Sequence, residues 1–255
     1  MQIILSPAKT LNFTDKSVVD THATPLFSAE AKEVMSDLRQ FGQAELGKLM
    51  GISSKLAELN TIRHNAWEQN HDLENSKQCV YAFNGEAYNG LNVSQFNRED
   101  MQFAQDHLKI LSGLYGVLRP LDIIQPYRLE MGTKIKIGKA KNLYEFWGEK
   151  LAQVINNDAE KSGSYTLINL ASNEYFKAVN VKALSVDVIT PVFKELKNGQ
   201  YKVISVYAKK ARGLMTAYAI RNRITNPEEL KKFNEEAYMF DANQSSKNQW
   251  VFTRG

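Results

Sequence analysis

Residues 201–213 read Tyr-Lys-Val-Ile-Ser-Val-Tyr-Ala-Lys-Lys-Ala-Arg-Gly, and they open a stretch to Pro227 that contains six Lys or Arg residues but no Asp or Glu. β-Branched and aromatic residues dominate as far as Tyr207, which predicts a strand. Apolar residues recur at helical spacing after Gly213, which predicts a helix. We therefore expect a strand, a basic turn and a helix in succession.

Lys209, Lys210 and Arg212 fall in the predicted turn, where the strand ends and the helix begins. A helix start presents unpaired backbone N–H groups and a partial positive charge, both of which favour an anion. The pattern thus predicts a phosphate site. The alternative is a solvated basic face, and the lack of any nearby acid in the sequence weakens that alternative.

Two further apolar runs end in polar residues. Residues 3–5 (Ile-Ile-Leu) stop at Ser6-Pro7 and are followed by Lys9, and residues 165–170 lead to Ser172 and Glu174. Side chains just past the carboxyl end of a strand line the ligand crevice of an α/β protein. Lys9 is therefore a candidate phosphate contact, and the alternative is a plain turn with a surface lysine.

The segment from Leu46 to Asn60 resembles the helix-hairpin-helix element of DNA-repair proteins in its Leu, Gly-Ile, Lys and Ala positions. Gly51 permits a tight turn, and Ser53, Ser54 and Lys55 would open the second helix with their N–H groups facing a DNA phosphate. The pattern departs at Met50, Ser53 and Asn60. A pair of helices that serves only the core is the alternative.

Arg119 and Arg128 lie in a Gly- and Pro-rich passage, residues 112–132, that follows a predicted helix over residues 96–111. Guanidinium groups bind phosphate or carboxylate through paired hydrogen bonds, so both arginines are candidate phosphate contacts. The alternative is that they pair internally with Asp122 and Glu130.

Composition sets limits on the kind of protein. A chain of 255 residues with 43% apolar residues is long enough for one large domain or two small ones. The formal net charge is only +4, so affinity for nucleic acid has to come from local clusters of charge. Cys79 is the single cysteine, which excludes an internal disulfide and a cysteine-based metal module and fits a reducing, cytoplasmic setting.

Other classes of protein find no support in the sequence. We expect no membrane span or secretion signal, because the N-terminus has no basic leader and no long apolar window occurs. The four scattered histidines form no visible ligand set, so we expect no metal. The sequence contains no Gly-x-Gly-x-x-Gly pattern, which would indicate a dinucleotide cofactor. We therefore expect no cofactor, and we also expect no protein partner.

The elements together predict a single α/β (mixed α+β) domain over residues 1–255, with a mixed sheet flanked by helices. Residues 43–62 would form a helix-hairpin-helix sub-lobe. Asn198-Gly199 is a hairpin signal between strands over residues 186–193 and 201–207.

Four blocks carry a resemblance to a known family: residues 4–11 (Ile-Leu-Ser-Pro-Ala-Lys-Thr-Leu), 111–122 (Leu-Ser-Gly-Leu-Tyr-Gly-Val-Leu-Arg-Pro-Leu-Asp), 125–132 (Gln-Pro-Tyr-Arg-Leu-Glu-Met-Gly) and 208–215 (Ala-Lys-Lys-Ala-Arg-Gly-Leu-Met). In these the chain resembles the bacterial YaaA peroxide-stress family. The resemblance implies a cytoplasmic protein that limits unincorporated iron during hydrogen peroxide stress and so protects DNA. It also implies an unusual α/β fold with a helix-hairpin-helix element and a positively charged cleft that binds DNA.

The sequence therefore predicts a protein that binds the phosphate backbone of double-stranded or structured DNA without reading its bases. The predicted contacts are Lys9, Ser53, Ser54, Lys55, Arg119, Arg128, Lys209, Lys210 and Arg212. The alternative is an enzyme that acts on a small phosphorylated or nucleotide-like substrate in the same cleft, because Glu174 has no obvious use in a DNA cleft. The residues identify no reaction for it.

Overall fold

Three short apolar segments pair side by side at the centre of the structure, a computed structural model that describes residues 1–15 and 19–255. They are β1, β5 and β8 below, and nearly all of their residues are buried. Such continuous burial is typical of parallel strands that are covered on both faces. The strands are β1 (Gln2–Leu5), β2 (Thr10–Leu11), β3 (Lys77–Gln78), β4 (Phe83–Asn84), β5 (Leu108–Ser112), β6 (Gly116–Leu118), β7 (Ile123–Ile124), β8 (Thr166–Leu170), β9 (Asp187–Lys197), β10 (Gln200–Lys202), β11 (Met239–Asp241) and β12 (Gln249–Arg254).

The helices surround this sheet and are mostly short. They are α1 (Ser28–Leu38), α2 (Gln43–Met50), α3 (Ser54–Ala66), α4 (Cys79–Ala82), α5 (Glu86–Leu91), α6 (Arg98–His107), α7 (Leu143–Trp147), α8 (Lys150–Lys161), α9 (Asn173–Phe176) and α10 (Ser205–Arg221). In the part of the chain that the structure describes, no helix has both the length and the apolar character to cross a membrane.

The main sheet has the strand order β11-β12-β9-β8-β1-β5-β6, and β10 pairs with β9. The neighbours from β12 to β5 are parallel, whereas β11 and β6 add antiparallel strands at the two edges. Parallel neighbours require long crossover connections, and these contain most of the helices. The structure thus confirms the predicted mixed sheet flanked by helices. The predicted hairpin turn is also present, with positive φ at Asn198 and Gly199.

The basic stretch folds differently from the prediction. The predicted strand ends at Lys202, and α10 begins at Ser205, so Lys209, Lys210 and Arg212 lie within the helix instead of in a turn before it. The predicted site for an anion on free helix N–H groups at these residues is therefore wrong. The apolar residues that suggested a strand are exposed, while small residues further along α10 are buried against α5. Tertiary packing overrides local strand propensity here.

The predicted helix over residues 96–111 is wrong in its last turn. Helix α6 ends at His107, and Leu108–Ser112 forms β5 between β1 and β6. A short apolar run fits either a helix or a buried strand, and the pairing with β1 decides the outcome.

Helices α5 and α10 touch through their backbones. A Cβ atom built on Gly213 would lie 1.8 Å from the carbonyl oxygen of Ala87, and one built on Gly90 would lie 2.2 Å from the carbonyl oxygen of Lys210. No other residue type fits at either position without separating the helices. Two glycines therefore set how close α5 and α10 come to each other.

A polar cluster is buried beside β5. The Lys109 side chain has no exposed surface, and its Nζ lies 3.1 Å from Asp158 Oδ2, which also pairs with Arg119 Nη2 at 3.0 Å. Asp122 lies next to this cluster and accepts a hydrogen bond from the backbone N–H of Arg119 at 2.8 Å. Burial raises the pKa of Asp122 to about 7, against the lowering effect of that hydrogen bond and of the nearby cations.

We expect Gly213→Ala to lower the free energy of unfolding by about 1–3 kcal/mol, the usual range for overpacking, because the new methyl group meets the backbone of α5. Gly47→Ala in α2 is the matched control. Its Cβ would lie 3.4 Å from Ala57 Cβ, an ordinary contact, so the better helix former should stabilise by roughly 0.5–1 kcal/mol. Urea unfolding of both variants measures this, and equal midpoints would contradict the helix contact.

We expect Asp122→Asn to gain stability over the wild type as the pH rises. A raised folded-state pKa gives a contribution that is complete below the unfolded pKa of 3.8 and is lost as the pH passes through about 7. The difference in unfolding free energy between variant and wild type should shift by up to about 4 kcal/mol between pH 4 and pH 8, at ~1.4 kcal/mol per pKa unit. Denaturation at several pH values measures it, and a flat difference would show that Asp122 titrates normally.

Candidate functional site

A cavity of about 420 Å³ opens at the carboxyl ends of β1 and β8. The register pairs Leu5 with Leu170, so both strands stop at the same level and their following loops meet. Helices α5 and α10 supply the opposite wall. The lining residues that carry the argument below are Ser6, Lys9, Asn84, Glu86, Tyr88, Ser172, Glu174, Tyr175, Lys209 and Arg212.

Hydrogen bonds fix the two strand-end loops against each other. The backbone N–H of Ser172 donates to Ser6 Oγ at 2.8 Å, and the Tyr88 hydroxyl donates to the Ser6 carbonyl oxygen at 3.1 Å. The Glu174 carboxylate accepts a hydrogen bond from the Gly132 N–H at 2.9 Å. Burial raises the pKa of Tyr88, so its phenol stays protonated at neutral pH. The cavity floor is therefore held in place before any ligand enters.

Two cations face this cavity without a counter-ion. Arg212 is partly buried and Lys209 is exposed, and neither forms an ion pair with a carboxylate of the described residues. Burial lowers the pKa of the Arg212 guanidinium, and no neighbouring acid opposes the shift. A charge removed from water without a partner is unfavourable. An anionic ligand would supply the missing partner.

Lys9 is at the rim of the same cavity, but its charge is already compensated. Its Nζ lies 2.5 Å from Glu130 Oε2, and the other oxygen of Glu130 accepts from Arg128 Nη2 at 2.9 Å. Arg128 therefore pairs internally with Glu130, which was the alternative to a phosphate contact. Its Nε is buried without a hydrogen-bond partner.

The remaining candidate residues lie elsewhere. Arg119 pairs with Asp158 beside β5 and does not line the cavity, so its internal partner is not the acid that the sequence suggested. Lys210 does not line the cavity and pairs with Glu236 at 2.5 Å. Of the predicted cationic contacts, Lys9, Lys209 and Arg212 line this cavity, and Arg128 lies beside Lys9 on their shared partner Glu130.

The helix pair α2–α3 presents a separate surface. Gly51 ends α2 with a positive φ of 61°, and Ser53 caps α3 by accepting a hydrogen bond from the Leu56 N–H. Ser54 and Lys55 occupy the exposed first turn of α3, where backbone N–H groups lack helical partners. None of these residues lines the cavity at the strand ends.

Several residues that line the cavity were not among the site residues predicted from the sequence. Glu86 and Tyr88 reach the cavity because α5 packs against α10, which is far away in the chain, and Asn84 lies in β4 just before α5. The only local signal was the glycine-punctuated loop around Gly85. In the described part of the chain, no group of three or more His, Cys, Asp or Glu side chains is arranged to hold a metal ion.

Comparisons with known proteins cover nearly the whole chain. A family model described as peroxide stress protein YaaA matches residues 1–244. A UPF0246 protein of Neisseria gonorrhoeae (strain ATCC 700825 / FA 1090) is 49% identical over 254 residues, which span 100% of this chain and 98% of the relative. A UPF0246 protein of Aliivibrio fischeri (strain MJ11) is 46% identical with the same coverage. The chain therefore belongs to the peroxide stress protein YaaA family.

Proposed function

We propose that this protein acts in the cytoplasm during hydrogen peroxide stress, where it binds the phosphate backbone of DNA and helps to limit unincorporated iron. Membership of the peroxide stress protein family supports the stress role. The observation that carries the DNA-binding part is the pair of uncompensated cations, Lys209 and Arg212, at the cavity. Phosphate is the anion that DNA offers along its whole length.

The first turn of α3 supplies a second set of phosphate contacts in this proposal. Lys55 is exposed and has no ion-pair partner among the described residues, and Ser54 and Lys55 lie in the first turn of α3, where backbone N–H groups lack helical partners. Contacts of this kind bind the backbone and carry no base information. The binding is therefore sequence-independent, and it weakens steeply with salt because each neutralised phosphate releases counterions.

A second candidate function is an enzyme that uses the same cavity. The observation that favours it is the concave shape of the site, because a duplex backbone lies across an open surface. The cavity volume of about 420 Å³ also falls in the usual range of small-molecule sites, about 300–1,000 Å³. Glu174 lies in its wall opposite the cations of α10. A carboxylate in such a position is suited to general acid or base catalysis.

We expect Lys209→Ala and Lys55→Ala each to weaken duplex binding and to lower the slope of log affinity against log salt by about one. Lys210→Ala is the matched control, because Glu236 already holds that ammonium group. Fluorescence anisotropy of a labelled duplex across a salt series measures all three variants. Equal slopes for Lys209→Ala and Lys210→Ala would show that Lys209 at the cavity does not contact DNA phosphates.

For the second candidate, we expect Glu174→Gln to abolish peroxide protection in cells while leaving duplex affinity unchanged. The amide oxygen of Gln can still accept the Gly132 N–H, so the fold keeps this contact and only the titratable group is lost. Glu160→Gln, at an exposed position of α8, is the control. Survival of peroxide-treated bacteria that carry each variant measures the effect. Full protection by Glu174→Gln would exclude a catalytic carboxylate at this position.

A further inference from the structure

The charges around the cavity include both signs, and both are left without partners. On α10, Lys209 and Arg212 have no counter-ion, while Glu86 on α5 forms no ion pair with them. Lys9 at the rim is compensated by Glu130. A bare phosphate ion would satisfy the cations but would leave Glu86 unsatisfied. The ligand therefore needs an anionic part and hydrogen-bond donors in one molecule.

Lys209 and Arg212 are the cations available to hold the anionic part of the ligand. One phosphate monoester, which carries about −1.5 to −2 at neutral pH, can accept hydrogen bonds from both. A single backbone phosphodiester carries one negative charge, so the same pair attracts it less strongly than it attracts a terminal monoester. A triphosphate brings more charge than Lys209 and Arg212 can neutralise. The free cations thus favour a terminal phosphate.

The rest of the cavity suits a nucleoside. Pro7, Ala8 and Ala87 are partly exposed in its lining and, with the edge of Tyr175, give it an apolar wall against which a flat base can pack. Asn84 and Glu86 offer an amide and a carboxylate at the α5 side. Amide and carboxylate groups pair with base edges, and carboxylates also accept from sugar hydroxyls.

We propose that this cavity binds one terminal nucleotide that carries a phosphate monoester, with the phosphate on Lys209 and Arg212 and the nucleoside against the apolar wall. This proposal rests on the proposed function, because it specifies the class of ligand that the same site binds. The same chemistry comes from two sources, a phosphorylated end of a DNA strand and a free nucleoside monophosphate. Binding experiments with each source distinguish them.

The first experiment compares blunt duplexes of one sequence that carry a 5′-phosphate, a 3′-phosphate or no terminal phosphate, by anisotropy at fixed salt. We expect one phosphorylated end to bind about tenfold more tightly than the unphosphorylated duplex, a charge-assisted contact of ~1.4 kcal/mol. Arg212→Gln should abolish this ratio, whereas Lys210→Ala should leave it unchanged. Ala8→Phe fills the cavity without changing its charge and should also abolish the ratio, provided that its melting temperature is that of the wild type.

The second experiment titrates the protein calorimetrically with a nucleoside monophosphate, the matching nucleoside and inorganic phosphate. We expect the monophosphate to bind at least about tenfold more tightly than either fragment, and Arg212→Gln to lose this binding. The inference is overturned if phosphorylated and unphosphorylated duplexes bind with equal affinity and the monophosphate binds no better than inorganic phosphate. If no duplex binds but the monophosphate does, the DNA-binding proposal fails while the nucleotide site stands.

Discussion

The backbone contact between α5 and α10 is the constraint on which the site depends. At Gly90 and Gly213 no side chain separates the helices, so their spacing is set by main-chain atoms. Helix α5 contributes Glu86 to one wall of the cavity, and α10 contributes Lys209 and Arg212 to the same wall. Because the helices cannot slide apart without losing this contact, the cations stay close to the strand ends. The packing of the two helix backbones therefore positions Lys209 and Arg212, which no ion pair holds in place.

The uncompensated charges at the cavity stand out because the chain pairs its other basic residues nearby. Lys9 meets Glu130 and Lys210 meets Glu236, each within hydrogen-bonding distance. Arg212 is partly buried, as Lys210 is, but has no such partner. Leaving a partly buried guanidinium unpaired lowers stability, and structures tolerate that loss mainly where a ligand restores it. The charge distribution thus supports the proposed binding site over a merely basic surface.

Much of the sheet could be predicted from the sequence, because apolar runs bounded by turn residues define β1, β8 and the hairpin at Asn198. The start of α10 could not, since local strand propensity there competes with packing on α5, which is distant in the chain. The cationic members of the site could be found because charge is visible in a sequence. Glu86 could not, because only the tertiary contact of α5 with α10 brings it to the cavity.

The seven cations among the nine residues predicted to contact phosphate divide according to whether an ion pair within the fold already neutralises them. Arg119 and Arg128 are held by buried or half-buried carboxylates, so a ligand would have to break an ion pair to recruit them. Lys209, Arg212 and Lys55 have no such competitor. Electrostatic free energy gained from a ligand is largest where no protein charge is displaced. A basic motif in a sequence therefore identifies candidates, and the pairing that the fold imposes decides which of them remain available for a phosphate.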